Sequence, residues 1–195
     1  MPWFRFIRLS EEAGRPRVMA DMSEKSGFGP LLCDSPRMLV LGSLPGDRSL
    51  AEGEYYAHPS NRFWKVLAAL CGEPLPSCYE AKKRMLARAG ILLWDVYASA
   101  RRTGSMDADI RGGSFNDIAG LLARFPSVGT VVLNGRTAQE AFSRYLSRLP
   151  ERERHRIAAM RICPVPSTSP ANARYTLAGL VEAWAEAFRG ASALF

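Results

Sequence analysis

The side chains able to do chemistry gather in five short stretches of the chain. A glycine-bracketed turn, Gly42-Ser43-Leu44-Pro45-Gly46, is followed by a long loop holding Tyr55, Tyr56, His58, Pro59 and Asn61. Asp95 lies near the end of the apolar run ILLWDVY, and Asn134-Gly135 follows another apolar run. A small-residue loop, Ser167-Thr168-Ser169-Pro170-Ala171-Asn172-Ala173, precedes Arg174. Each of these residue types has a chemical and a structural use. Gly42 and Gly46 allow close approach of another group, or simply make a tight turn. The tyrosines either pack within the loop or present a face on which a flat base stacks, worth about 1–3 kcal/mol per base. His58, one of two histidines, is an acid or base or else a structural hydrogen-bonder. Asn61 caps a helix or, with Ser60 capping in its place, holds a ligand, and the two roles are compatible. Asp95 accepts hydrogen bonds from a ligand, caps a turn, or pairs with Arg101 or Arg102. The Ser-Thr-Ser loop suits phosphate contact, or is an ordinary loop before a helix capped near Asn172.

Hydrophobic periodicity predicts the elements that position these residues. Residues 38–41 read as a buried strand. Phe63, Val66, Leu67 and Leu70 recur at i, i+3, i+4 and i+7, which predicts a helix starting near Asn61 and stopping at Gly72. A second helix covers 79–89, a buried strand 91–97, and a polar loop 99–114 with Arg101, Arg102, Asp107 and Asp109. A helix over 116–125 would be capped by Ser114 or Asn116. A third strand covers 128–133, and Ala138, Ala141, Phe142, Tyr145, Leu146 and Leu149 form a helix stripe. A fourth strand lies within 157–165, and the last helix runs from about 175 to 188. Short apolar strands alternating with helices imply a mostly parallel four-stranded sheet covered on both faces, a three-layer α/β/α sandwich. Such sheets build sites at the carboxyl ends of their strands. The loops 42–61, 95–99, 134–136 and 166–173 then converge on one edge. Residues 1–27 have no clean period and read as a tail, with Met19 and Met22 as later start codons, leaving 28–190 as one domain.

The apolar share of 47% and charged share of 23% are those of a globular protein. The net charge is +7, and the segment 136–174 holds eight Arg against three Glu, so it accounts for five of those seven charges. That imbalance implies a polyanionic partner, most commonly nucleic acid, or else a solvated basic helix and loop. No run of about 18 apolar residues exists to cross a membrane, and no h-region marks a secretory signal. Cys33, Cys71, Cys78 and Cys163 lack the local pairing of metal sites. They read as four reduced thiols of a cytoplasmic protein without a metal.

Taken as a spaced set, the glycine turn, the segment AHPSNRFWKVL and the PST loop before the last helix resemble the two motifs of the uracil-DNA glycosylase superfamily. Residues 56–67 are similar to the mismatch-specific uracil-DNA glycosylases. GSLPGDRSL, EYYAHPSNRFW, WDV, GSMD, ND, LNG and PSTSPANA together resemble more closely the hypoxanthine-DNA (deoxyinosine) glycosylase branch, over residues 27–188. The resemblance implies a uracil-DNA glycosylase-like fold and a monofunctional enzyme of base excision repair. Such an enzyme flips a deaminated base out of DNA, hypoxanthine first and uracil second, and cleaves its glycosidic bond. It implies no cofactor and a monomer. In the mismatch-specific enzymes a first-motif Asn positions the attacking water, and the matching position here is Leu44. In the hypoxanthine branch the catalytic Asn lies in the HPxN segment, which implies Asn61, with His58 beside it. The base pocket would comprise Gly42, Ser43, Leu44, Tyr56, Phe63, Asp95 and Asn134. DNA contacts would come from Ser167, Thr168, Ser169, Pro170, Ala171, Asn172 and Arg174, with Ser169-Pro170-Ala171 as the wedge filling the vacated stack. Leu44 leaves room for a non-catalytic nucleic-acid-binding module on this fold, and the similarity of residues 56–67 leaves a uracil/thymine mismatch-specific enzyme as a further alternative. An α/β enzyme using GSLPG for phosphate is a weaker third, because the chain lacks the P-loop Gly-Lys-Ser/Thr.

Overall fold

A computed structural model describes residues 24–101 and 111–189. Met19, Met22, Arg102, the GSMD segment with Asp107, and Asp109 lie outside the described residues. In chain order the elements are β1 (Glu24–Ser26), β2 (Met38–Gly42), α1 (Asp47–Glu52), α2 (Phe63–Leu70), α3 (Tyr79–Arg88), β3 (Ile91–Asp95) and β4 (Tyr97–Arg101). They continue with β5 (Arg111–Phe115), α4 (Ile118–Arg124), β6 (Thr130–Asn134), α5 (Arg136–Arg148), α6 (Glu151–Ala158), β7 (Arg161–Val165) and α7 (Leu177–Arg189).

Strands β2 and β6 are buried along their whole length, so their sequences are unbroken apolar runs rather than alternating ones. They form the middle of a parallel sheet of order β3-β2-β6-β7. Strand β7 lies at its edge, where Pro164 is tolerated because no further strand needs its missing N–H. Side chains alternate between the two faces. Met38, Val40, Ile91, Leu93 and Val132 pack with side chains of α2, α3 and α7, among them the fully buried Phe63 and Trp184. Leu39, Leu41, Leu92, Val131 and Leu133 pack on the other face with α4, α5 and Ile157 of α6. This is the expected three-layer α/β/α sandwich around a four-stranded sheet, and its strands are all parallel.

A second sheet was not legible in the sequence. The run 91–97 is not one strand: β3 ends at Asp95, and β4 turns into a three-stranded antiparallel sheet of order β1-β4-β5. The supposed polar loop therefore contains two strands. Residues 24–26, read as part of a tail, supply the third. The junction is held by Asn116, whose buried Nδ2 donates to Asp95 O at 2.8 Å and to Tyr97 O at 3.1 Å. The second of these distances belongs to a separate bond from the same amino group. Asn116 is thus no helix cap. Helix α4 starts two residues later, where Asp117 Oδ1 accepts from Gly120 N–H. Helix α7 likewise begins after Thr176, whose Oγ1 accepts from Gly179 N–H, and not near Asn172. Helices α1 and α6 were unforeseen.

Asn116→Ala would leave two carbonyls unpaired where the chain changes sheets. The expected loss is about 1–3 kcal/mol, measured by equilibrium urea unfolding. A loss under about 0.5 kcal/mol, the size of an ordinary surface substitution, contradicts this role.

Candidate active site

The last row of the parallel sheet, on the face covered by α2 and α7, replaces apolar residues with Asp95, Gly42 and Asn134. Gly42 pairs with Asp95 in register, and Asn134 pairs with Val165. One step in, the same face carries Leu93, Val40, Val132 and Cys163. A polar layer therefore sits directly on the apolar core. Gly42 is required here by space: a Cβ would collide with Asp95 Oδ1 and lie 3.0 Å from the Tyr56 hydroxyl. Asp95 is only 3% exposed, so its carboxylate belongs to this layer and not to the surface.

Tyr56 reaches the layer from the long loop with φ of 54°, a left-handed conformation that costs a bulky residue energy and is a marker of functional loops. Its ring stacks on Phe63, with centroids 4.1 Å apart and planes 25° from parallel. Its hydroxyl accepts from Asn134 Nδ2 at 3.0 Å. The same Nδ2 donates to Thr168 Oγ1 at 3.0 Å, and Asn134 Oδ1 accepts from Thr168 N–H at 3.0 Å. Asn134 thereby joins Tyr56 to the fully buried Thr168 of the PST loop. Ser49 of α1 supports the loop by accepting from Ala57 N–H at 3.2 Å. Behind it Tyr55 is buried, and burial together with the Asp95 charge pushes its hydroxyl pKa up.

Asn61 lies just before α2. Its Oδ1 accepts from Phe63 N–H at 3.0 Å, a local bond to the first residue of α2, but the N-cap position is Arg62, so Asn61 is not the helix cap. Its Nδ2 makes no hydrogen bond among the described residues. His58 is exposed, and its Nδ1 accepts from Ser60 N–H at 3.2 Å, leaving Nε2 outward. Phe63 is buried and backs Tyr56. Leu44 packs in the core on the opposite face of the sheet, and Ser43 is 7% exposed.

The residue with no forewarning in the sequence is Arg62. Its backbone N–H donates to Thr168 O at 3.1 Å. Its Nη2 donates to Ser169 O at 2.9 Å and, in a second bond, to Asn172 O. Its Nη1 donates to Tyr175 O. The partners stand more than a hundred positions away, so no local pattern marks it. Within the loop, Asn172 Nδ2 donates to Ser167 O at 2.9 Å, while Pro170 and Ala171 are exposed at the tip.

Four arginines of the basic segment are exposed and also bond within the fold. Arg144 donates to the Tyr97 hydroxyl, Arg148 lies over the Phe115 ring, and Arg156 donates to Ala119 O. Arg161 donates to the carbonyls of Glu186 and Ala187, the negative end of α7. These four are tied into the fold. Arg136, which also pairs with Glu140 at 2.9 Å, and Arg174 line an open cleft of about 410 Å³ beside the PST loop with Gln139, Ser167, Asn172 and Tyr175. Among the described residues no group of three or more His, Cys, Asp or Glu could hold a metal ion, and no helix is long and apolar enough to cross a membrane.

Residues 30–188 match the family model of the Uracil DNA glycosylase superfamily. A hypoxanthine DNA glycosylase of Methanosarcina barkeri is 37% identical over 118 residues, 60% of this chain and 75% of that protein. A hypoxanthine DNA glycosylase of Methanosarcina acetivorans is 38% identical over 117 residues, 60% of this chain and 74% of that protein. A G/U mismatch-specific uracil DNA glycosylase of Schizosaccharomyces pombe is 42% identical over 41 residues, 21% of this chain and 13% of that protein. The solution NMR structure of a Methanosarcina acetivorans protein provisionally assigned as a uracil DNA glycosylase superposes with a TM-score of 0.72 at 33% identity, covering 87% of this chain and 99% of that one. The chain belongs to the uracil DNA glycosylase superfamily. It is accordingly an enzyme that hydrolyses the N-glycosidic bond of a nucleotide in DNA.

Gly42→Ala would push Asp95 and Tyr56 apart, because their oxygens occupy the space of the added methyl. Overpacking of this kind costs about 1–3 kcal/mol. A fall in glycosylase rate of at least about 10²-fold is expected from the displaced groups, measured beside a melting curve. A stable variant with near-normal rate refutes the packing of this layer.

Proposed function

We propose that the protein is a monofunctional DNA glycosylase that removes deaminated bases, hypoxanthine faster than uracil. The observation that carries this reading is the buried carboxylate of Asp95 in the same layer as Tyr56 and Asn134. The naming of two relatives as hypoxanthine DNA glycosylases supports it.

The glycosidic bond cannot be reached inside the stack, so the nucleotide must first be flipped out. Phe63 backs one face of Tyr56, and the base stacks on the other. Asp95, ionised, can only accept, and it accepts from the N1–H of hypoxanthine. Adenine presents an acceptor at that position and is repelled, since two facing acceptors leave both unpaired in a dry site. A water held by the Asn61 amide approaches C1′ as the bond to N9 breaks. The new C1′–O bond forms, the base departs with the bonding pair, and the proton lost by water is delivered to the base. Asn61 is a poor proton acceptor, so the acceleration comes from positioning and electrostatics. The bond to Phe63 N–H occupies one side of Oδ1 and orients the amide for this task, so that bond and water-holding are compatible.

Two measurements test the reading. Asn61→Ala should slow single-turnover release at least about 10²-fold, the scale of a lost positioned group, whereas loss of the bond to Phe63 N–H alone costs about 1 kcal/mol of stability. Urea unfolding of the same variant separates the two effects, and a stable Asn61→Ala with near-normal rate makes the residue structural. For base choice, duplexes carrying one hypoxanthine or one uracil are incubated with enzyme and cleaved with alkali. Hypoxanthine should be released faster, and Asp95→Asn should narrow the ratio, because an amide both donates and accepts. Faster uracil release by the unaltered protein, or a ratio untouched by Asp95→Asn, overturns this account of specificity.

A further inference from the structure

Arg62 makes an unusual set of bonds for a cation. Its guanidinium meets no carboxylate among the described residues, and its buried Nε has no acceptor there. What it meets instead are the backbone carbonyls of Ser169, Asn172 and Tyr175, and its own N–H holds Thr168 O. Placing a charge against carbonyl dipoles, with one donor unmet, sets a desolvation cost against the gain of its charged hydrogen bonds. It is an effective way to set a loop, because four carbonyls of one irregular segment converge on a single residue. Glycine, proline or regular hydrogen bonding could have shaped that segment locally, but none would have tied it to α2.

Two anchors hold the loop. Asn134 fixes Thr168 below, and Arg62 fixes 169–175 from the side. Between them Pro170 and Ala171 stand exposed at the tip. Arg62 directly follows Asn61, so the group proposed to hold the water and the clamp on the loop share one stretch of backbone. The separation of tip and amide cannot drift without breaking one of these bonds.

We propose that Arg62 is a positioning residue that locks the Ser169-Pro170-Ala171 tip as a rigid wedge, so that pushing the base out and holding the water under it happen in one frame. This rests on the glycosylase reading above. The wedge acts against base pairing, so its loss must tell most where a pair has to be opened. A planar fork is needed to serve carbonyls on different sides, and an ammonium does not reproduce it.

The test compares two duplexes under single-turnover conditions with saturating protein. In one, hypoxanthine lies opposite cytosine. In the other, it lies opposite a tetrahydrofuran abasic analogue and has no partner to leave. Arg62→Ala and Arg62→Lys are expected to lose at least about tenfold more rate on the paired lesion than on the unpaired one, the scale of a displaced positioning group. Pro170→Gly, which softens the tip and leaves the clamp intact, is expected to give the same signature and decides the wedge if the Arg62 variants do not fold. Equal losses on both duplexes, or no loss on either, overturn the proposal. Failure of the unaltered protein to release hypoxanthine from either duplex overturns the glycosylase reading itself.

Discussion

The site depends on a missing side chain. At Gly42 the central strand ends with an empty half-residue volume, and the Asp95 carboxylate and Tyr56 hydroxyl occupy it. Any Cβ there forces one of them out. With both in place, a carboxylate, a phenol and the Asn134 amide sit as one polar sheet-end above Val40, Leu93 and Val132. The apolar floor excludes water, which strengthens every hydrogen bond made above it. The left-handed Tyr56 is a consequence: its backbone strain, of order 1–3 kcal/mol, is met by ring stacking on Phe63 and by the bond to Asn134.

From that point the structure extends outward by polar ties rather than by packing. Irregular loops carry backbone groups that must find partners. Here those partners are side chains of distant segments: Ser49 for Ala57, Asn134 for Thr168, Arg62 for Ser169, Asn172 and Tyr175. A hydrogen bond to a charged donor contributes more than a neutral one, about 1.5–3 kcal/mol. The loop is therefore shaped by side chains from outside it, without a repeating pattern that a partner strand or helix would impose.

How much of this was legible follows from the range of each interaction. The parallel sheet was legible because buried strands are apolar in sequence and local in extent: 38–41 and 130–133 need no knowledge of their neighbours. Convergence of Asp95, Asn134 and the glycine turn on one edge followed from topology. The antiparallel sheet was hidden because Ala98-Ser99-Ala100 and Arg111-Gly112-Gly113 have little strand propensity, and they pair with each other and with 24–26 by tertiary context. Asn116 looked like a cap because Asn usually is one near a helix start. Its carbonyl partners, Asp95 and Tyr97, exist only where two sheets meet. Asn61 was legible as a residue to single out, while Arg62 beside it was not, since nothing in SNRFW announces a loop that begins at Thr168.

The charge pattern carries a related lesson about what net charge can specify. The basic stretch suggests a polyanion-binding face, and within it the exposed Arg144, Arg148, Arg156 and Arg161 also bond to a phenol, a ring and backbone carbonyls. Their charge remains and contributes to the field that draws DNA in. Screening limits that field to about 8 Å at physiological salt, so it acts on approach and not on placement. Placement needs groups that come within bonding distance of a strand, and the proposed reading puts that task on Arg136, Arg174 and the PST loop, which line one cleft. On the proposed reading, affinity and alignment then fall to different residues of the same segment. A surface built this way would attract any DNA but seat only a nucleotide that can leave the stack and reach the row of Asp95, Gly42 and Asn134.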